Sequence, residues 1–388
     1  MGDKVFSVVV LCFRHFEHLN NAISSVLSQD YKRIELIVSD DGSDNFPTEE
    51  IHRFIEKNKT PNICSVTVRQ ESENVGTVKH LNHARHCCHG DYIVFLAADD
   101  MFYNERVLSS YVQGLEDAPS NCYIEMAQTA MYDEHMGVLT EYYLKKPVQD
   151  AIEATVKDST ELMRMLLRYG PCLPSTSTCF TADFFTRFGD FDEHYQLVED
   201  FPMHFRLAKE NWVIHYANFV AIKHRHGGIS HGQKGARTTT VLRYYTDLYQ
   251  SMVELILPAI NIYLPENEAK HVRRNWKKQQ LWIEINSFEK QNATWKLIID
   301  GARKVKRGAV YFPLKKWTWF LRAYLITMVS KCWISKMIAA EFGVQLLPWI
   351  DTLAWVLLGA TVLCAVAQLM LKVYRKAAGF DGSIITLG

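Results

Sequence analysis

Residues 90–100, GDYIVFLAADD, decide how this chain is read. An apolar run from Tyr92 to Ala98 ends abruptly in two adjacent carboxylates, Asp99 and Asp100. A short, unbroken apolar run bounded by Gly and Asp reads as a strand buried on both faces. Two like charges at the end of such a strand raise each other's cost unless a cation or solvent neutralises them. Either this is an ordinary acidic loop, or something positive belongs beside it.

The same rhythm extends to either side. VFSVVVLCF (5–13) reads as another buried strand, followed by the amphipathic HLNNAISSVLSQ (18–29) with Leu19, Ile23, Val26 and Leu27 on one face. IELIVS (34–39) is a strand ending in DDGSD, TEEIHRFIEK (48–57) a helix, and CSVTVRQ (64–70) a strand leading through ENVG (73–76) into a further helix. Alternation of this kind predicts an α/β fold with a doubly wound, mostly parallel sheet. Ligands bind such sheets beyond the carboxyl ends of the strands. DDGSD and AADD both lie at such ends and so converge on one crevice.

The chain's 388 residues, 48% of them apolar, suffice for one large catalytic domain with an appendage. Lys+Arg and Asp+Glu each total 43, so no global charge excess points to nucleic acid. Locally the balance breaks: residues 301–336 hold nine Lys or Arg and no Asp or Glu, which suits an anionic surface. The nine cysteines form no CxxC pair, and a reducing compartment is expected. The first apolar run is short and reads as a strand rather than a signal peptide.

From about residue 230 the pattern turns helical. The expected division is a catalytic domain over 1–230, a helical extension over 231–310, and basic, aromatic interfacial helices over 311–345. One transmembrane helix over 346–373 and a tail over 374–388 follow. The spanning assignment rests on TLAWVLLGATVLCAVAQLML (352–371), 20 residues without formal charge and closed by Lys372, Arg375 and Lys376. The protein is therefore expected at a membrane.

Adjacent carboxylates at a strand end suit Mg²⁺ or Mn²⁺, which take one or two protein carboxylates and fill the remaining positions with water and phosphate oxygens. The order of motifs sharpens this: SVVVLCF, SSVLSQDY, IELIVSDDGSD, ENVG, GDYIVFLAADD, FGDFDE and EDFPMHFRLA. Over roughly residues 5–230 the chain resembles the family 2 glycosyltransferases, inverting enzymes of GT-A fold that use nucleotide-sugar donors. The resemblance implies that Phe13 offers its ring to the base and that Asp41, with Asp40 beside it, holds the uracil or thymine. It implies that Asp99 and its neighbour Asp100 bind the Mn²⁺ or Mg²⁺, with Asp99 also contacting the nucleotide. It makes Asp200 of VEDF the general base, with Glu199 on the acceptor side, and puts His226 of HRHGGIS near the diphosphate or metal. The first Asp of the family's common DxDD form is Ala97 here. The implied partners are a UDP- or dTDP-sugar donor, a glycan or lipid-linked acceptor and a membrane, in cell-surface polysaccharide assembly.

Other readings stand beside this one. A nucleotidyltransferase on a similar sheet would need a Gly-rich, Lys-bearing loop after the first strand, where CFRHFEHL stands instead. A non-catalytic nucleotide-sugar-binding membrane protein would bind donor without turnover. His80, His83, His86 and His89 recur every third residue around Cys87 and Cys88 and invite a zinc reading. A three-residue step rotates successive side chains around a helix, however, so the four share no face, and a solvated helix face is expected. Asp200 opening a helix is also compatible with capping. The Ser and Thr residues of YGPCLPSTSTCF (169–180) are either sugar contacts or turn residues.

Overall fold

In a computed structural model, residues 4–158, 160–226 and 239–276 are described. One compact unit runs Met1–Arg273 and a second Arg274–Gly388. In the first, β1 (Phe6–Cys12), α1 (Leu19–Leu27), β2 (Ile34–Asp40), α2 (Thr48–Asn58), β3 (Ile63–Gln70), α3 (Thr77–Arg85) and β4 (Tyr92–Ala97) alternate as the sequence predicts. The chain continues through β5 (Met101–Phe102), α4 (Val107–Asp117), β6 (Cys122–Tyr132), β7 (Leu139–Tyr142), α5 (Lys146–Ala154) and α6 (Thr160–Tyr169). Then come β8 (Thr178–Thr181), α7 (Ala182–Phe188), α8 (Asp200–Lys209) and β9 (Val213–Arg225). After them stand α9 (Thr239–Ser251), a π-helical turn (Met252–Ile256) and α10 (Leu257–Tyr263).

Their continuous apolar character sends β1, β2 and β4 to the middle of the sheet, where both faces are covered. Val8 pairs in parallel with Leu36 on one side and Val94 on the other. The stripe read from α1 is buried as expected at Leu19, Ile23, Val26 and Leu27. The sheet has nine strands in the order β3-β2-β1-β4-β8-β6-β9-β5, with β7 beside β6. Strands β8, β5 and β7 run against their neighbours and the rest run one way, so the sheet is mostly parallel.

The reversal of β8 positions the site. Because β8 pairs antiparallel with β4, from Tyr92↔Thr181 to Val94↔Cys179, the residues just before β8 lie at the carboxyl end of β4. Strand β6 pairs antiparallel with β8 in turn, which sets its far end and that of β9 on the same side. The crevice expected beyond β1, β2 and β4 is therefore walled by the later strands as well.

Helices α9 and α10 fall in the same compact unit as the sheet, which extends past residue 230. Among the described residues no helix is long and apolar enough to cross a membrane. The span expected over 346–373 lies outside the described residues, as do the interfacial helices expected over 311–345.

Candidate active site

At the carboxyl ends of β2 and β3 two turns are locked together. Asp40, fully buried, accepts the Ser43 N–H and hydroxyl at 2.7 and 2.6 Å and Gln70 Nε2 at 3.0 Å. It thereby closes its own DDGS turn, as Asp does where it bonds the backbone of its own turn. Asp41 reaches the other turn, accepting Asn74 Nδ2 at 2.7 Å and the Val75 and Gly76 N–H groups at 2.8 and 3.2 Å. Burial pushes the Asp41 carboxyl up, against the pull of those N–H groups. Gly42, at φ +71°, permits the contact: a Cβ there would sit 2.6 Å from the Asn74 nitrogen. The Asp40 carboxylate thus organises the DDGS turn and the Asp41 carboxylate the ENVG turn.

Phe13 lies half-buried at the end of β1, with the Arg14 guanidinium 4.7 Å from its ring centre. Arg14 adopts φ 63°, unusual for a residue with a side chain, and its N–H donates to Ser43 Oγ at 2.6 Å. The end of β1 is pinned to the DDGS turn in this way.

At the end of β4 the two carboxylates have different fates. Asp100 is fully buried; its Oδ2 lies 2.8 Å from His224 Nδ1 and its Oδ1 accepts the Arg225 N–H at 3.1 Å. The Arg225 side chain donates to the Asp99 carbonyl at 3.2 Å and the Glu134 carbonyl at 2.6 Å, tying the turn to the end of β9. Burial, and then the Asp100 charge, push the Asp99 carboxyl up, while His224 and Arg225 pull it down. Burial pushes the His224 imidazole down, but Asp100 outweighs it and holds the ring above its ordinary value. His226 stands one residue beyond β9, its Nε2 3.0 Å from Thr140 Oγ1. The ring bonded to Asp100 is thus His224, which the sequence reading passed over.

The third group opens α8. Ser175, just before β8, donates to Glu199 Oε1 at 2.9 Å and so carries Glu199 and Asp200 to the carboxyl end of β4. Asp200 Oδ1 accepts the Phe201 N–H at 2.6 Å. Burial, then the Glu199 charge, push the Asp200 carboxyl up to about 7; Glu199 is raised by burial as well. Burial, and then the Asp200 charge, raise the Tyr143, Tyr244 and Cys172 side chains, so these groups lie near it. A carboxyl poised near 7 beside tyrosines is suited to exchanging a proton with a hydroxyl.

Residues 7–145 match the family model Glycosyl transferase family 2. The chain thus carries a segment similar to glycosyltransferase family 2. A relative from Haemophilus influenzae, an uncharacterized glycosyltransferase, is 32% identical over 110 residues, 28% of this chain and 41% of its own. An uncharacterized glycosyltransferase of Rickettsia typhi is 24% identical over 341 residues, 86% of this chain and 97% of its own. The matched part spans less than half the length of several of the curated relatives. Among solved structures, a Pyrobaculum calidifontis mannosyltransferase in complex with GDP-mannose and Mn²⁺ has 17% identity and a TM-score of 0.49. That match covers 84% of this chain and 86% of the other, an overlap too loose to carry an argument about chemistry.

The family match raises the question of a metal. Among the described residues no group of three or more His, Cys, Asp or Glu side chains is placed to hold a metal ion. Asp100 has both oxygens engaged by protein donors. Asp99 fits a hard divalent cation: it is a carboxylate kept above its ordinary value by burial and an adjacent negative charge, which a cation would relieve. The histidine run forms no cluster. His80 is buried against Ser39 Oγ at 2.8 Å, His83 pairs with Glu71, His86 with Asp190 and His89 with Glu35. The solvated face expected for all four is therefore corrected at His80, whose ring lies only 4% exposed.

Proposed function

We propose that the protein transfers a glycosyl unit, with inversion, from a nucleoside-diphosphate sugar to an acceptor hydroxyl, with Asp200 as general base. The observation that carries this reading is the Glu199–Asp200 pair, brought by Ser175 to the same sheet end as Asp99 and held with Asp200 near 7. An acceptor hydroxyl attacking the anomeric carbon must lose its proton on the face opposite the departing diphosphate, and Asp200 takes it there. The Phe201 N–H fixes one carboxylate oxygen, and Ser175 fixes Glu199 beside it.

On the donor side, the interlocked DDGS and ENVG turns and the Phe13 ring form the base and ribose end. A divalent cation, Mn²⁺ or Mg²⁺, bound at Asp99 would offset charge on the departing diphosphate. The donor follows from the resemblance as a UDP- or dTDP-sugar and the acceptor as a glycan or lipid-linked hydroxyl. The uncharged run 352–371 and the basic stretch 301–336 support attachment to a membrane, with the catalytic unit on the cytoplasmic side in surface polysaccharide assembly.

The test is product analysis on the full chain with UDP-glucose, UDP-N-acetylglucosamine, UDP-galactose, dTDP-glucose and GDP-mannose, with Mn²⁺ or with chelator. Release of nucleoside diphosphate that stops on chelation is expected. Pyrophosphate as the product would replace glycosyl transfer with nucleotidyl transfer, and binding without turnover would leave a binding protein.

A further inference from the structure

Residues 192–198 stand between the two halves of the site. On the donor side, the Gln196 carbonyl accepts the Val78 N–H at 3.1 Å and lies 3.4 Å from where a Cβ on Gly76 would sit. Gly76 is one of the groups that hold Asp41. On the acceptor side, the same segment runs directly into Glu199 and Asp200. Its position therefore sets the distance between the donor turn and the base.

A third hold comes from beyond the matched family segment. Asp247 of α9 accepts the N–H groups of both Gln196 and Leu197 on one carboxylate oxygen, each at 2.7 Å. Two successive backbone N–H groups converging on a carboxylate form an anion-binding concavity, and the charge strengthens both bonds. Glu254, in the π-helical turn, adds a second clasp by accepting the Tyr195 hydroxyl at 2.7 Å, with His194 Nε2 at 3.3 Å. π-helical turns recur at functional sites, where the extra residue re-aims side chains.

We propose that Asp247 is a positioning residue for the acceptor base, α9 acting as a clamp that fixes the spacing of donor turn and carboxylate pair. This rests on the glycosyl-transfer reading with Asp200 as base. The donor turns keep their own bonds to Asp40 and Asp41 when the clamp is released, so donor affinity should hold while the base drifts. A misplacement of about 1 Å at a reacting group can cost on the order of 10²-fold in rate.

The experiment uses the full chain and whichever of the five nucleotide sugars above releases nucleoside diphosphate fastest. Asp247→Ala should lower kcat by roughly 10–100-fold with donor KM within about twofold. Asp247→Asn keeps an oxygen for both N–H groups and should recover most of the loss. Tyr195→Phe, which removes only the second clasp, should lower kcat several-fold. If Asp247→Ala keeps kcat within twofold while Asp200→Asn is inactive, the clamp is refuted and the base stands. If Asp200→Asn itself turns over normally, the reading beneath the clamp fails. Should Asp247→Ala not fold, Tyr195→Phe decides alone, and an unchanged kcat there refutes the clamp.

Discussion

Replacing Asp200 with Asn separates what this residue costs the fold from what it supplies to the chemistry. Burial and the neighbouring Glu199 charge raise the carboxyl to about 7, against about 4 in an unfolded chain. An acid raised in the folded state stabilises the fold in its protonated form. That contribution is complete below the unfolded value and is lost as pH rises through about 7. Each pH unit of difference is worth about 1.4 kcal/mol, so ionised Asp200 costs the fold roughly 2–4 kcal/mol at pH 8. Asn has no proton to lose and keeps the shape. The variant should therefore melt roughly 5 °C or more above the parent at pH 8, at about 2 °C per kcal/mol for a large unit, with the gap closing towards pH 4.

The same substitution should lower transfer by about 10²–10⁴-fold, the range for losing a general base, with donor affinity nearly intact. In the parent, activity should rise with pH through about 7 as Asp200 ionises. Calorimetric unfolding at pH 4 and pH 8 gives the stability half. Nucleoside diphosphate release at saturating donor between pH 5.5 and 8.5 gives the other. A residue that only capped α8 would behave differently, because Asn caps helices about as well as Asp. Near-normal transfer in Asp200→Asn would refute Asp200 as base and turn attention to Glu199. An unchanged melting temperature at pH 8 would refute the buried, raised carboxyl.

Four further substitutions test the remaining parts. Asp99→Ala should abolish Mn²⁺-dependent binding of UDP while Ala97→Asp is tolerated, as Mn²⁺ titration by calorimetry would read. Gly42→Ala forces a Cβ against the Glu73–Asn74 backbone at a positive φ. It should lower stability by about 2 kcal/mol or more and weaken nucleotide binding, measured by urea unfolding and by UDP titration. Glu125 of β6 is fully buried, has no hydrogen-bond partner for either oxygen among the described residues, and is raised by burial to about 9. Glu125→Met should stabilise the fold by about 1–3 kcal/mol at pH 7, and by more as pH rises through 9, where the parent's carboxyl ionises.

What could be read beforehand follows from how each residue announces itself. Strands β1, β2 and β4 are unbroken apolar runs closed by turn residues, so their existence and direction were legible. Strand β6 was not: Glu125, Gln128 and Thr129 lie buried within it and interrupt any apolar period. Strands β5 and β8 have two and four residues, too short to show a period at all. In the site, the motif order pointed to Asp99, Asp200 and the DDGS pair. It led to His226 and passed over His224, which stands two residues earlier in the same alternation. The choice depends on the register of β9 against β6, which shifts at three irregularities that local sequence does not mark. Asp247 was invisible for a different reason. Its partners are backbone N–H groups, which every residue but proline carries.

The charge problem at AADD now resolves into two parts, which have different owners. The protein itself answers Asp100: the half-buried His224 imidazole and a backbone N–H take both oxygens, and neither leaves when a ligand departs. It answers Asp99 only at a distance, since Arg225 spends its donors on the carbonyls of Asp99 and Glu134. Had Arg225 paired with the Asp99 carboxylate, the turn would be neutral and a cation would find no charge to meet. As built, the residual charge falls on Asp99, the carboxylate proposed to meet a cation. A cation bound to Asp99 should consequently depend on the nucleotide's own phosphates for its remaining ligands. Mn²⁺ alone should bind weakly and UDP should tighten it, and equal affinity with and without UDP would contradict this division of charge.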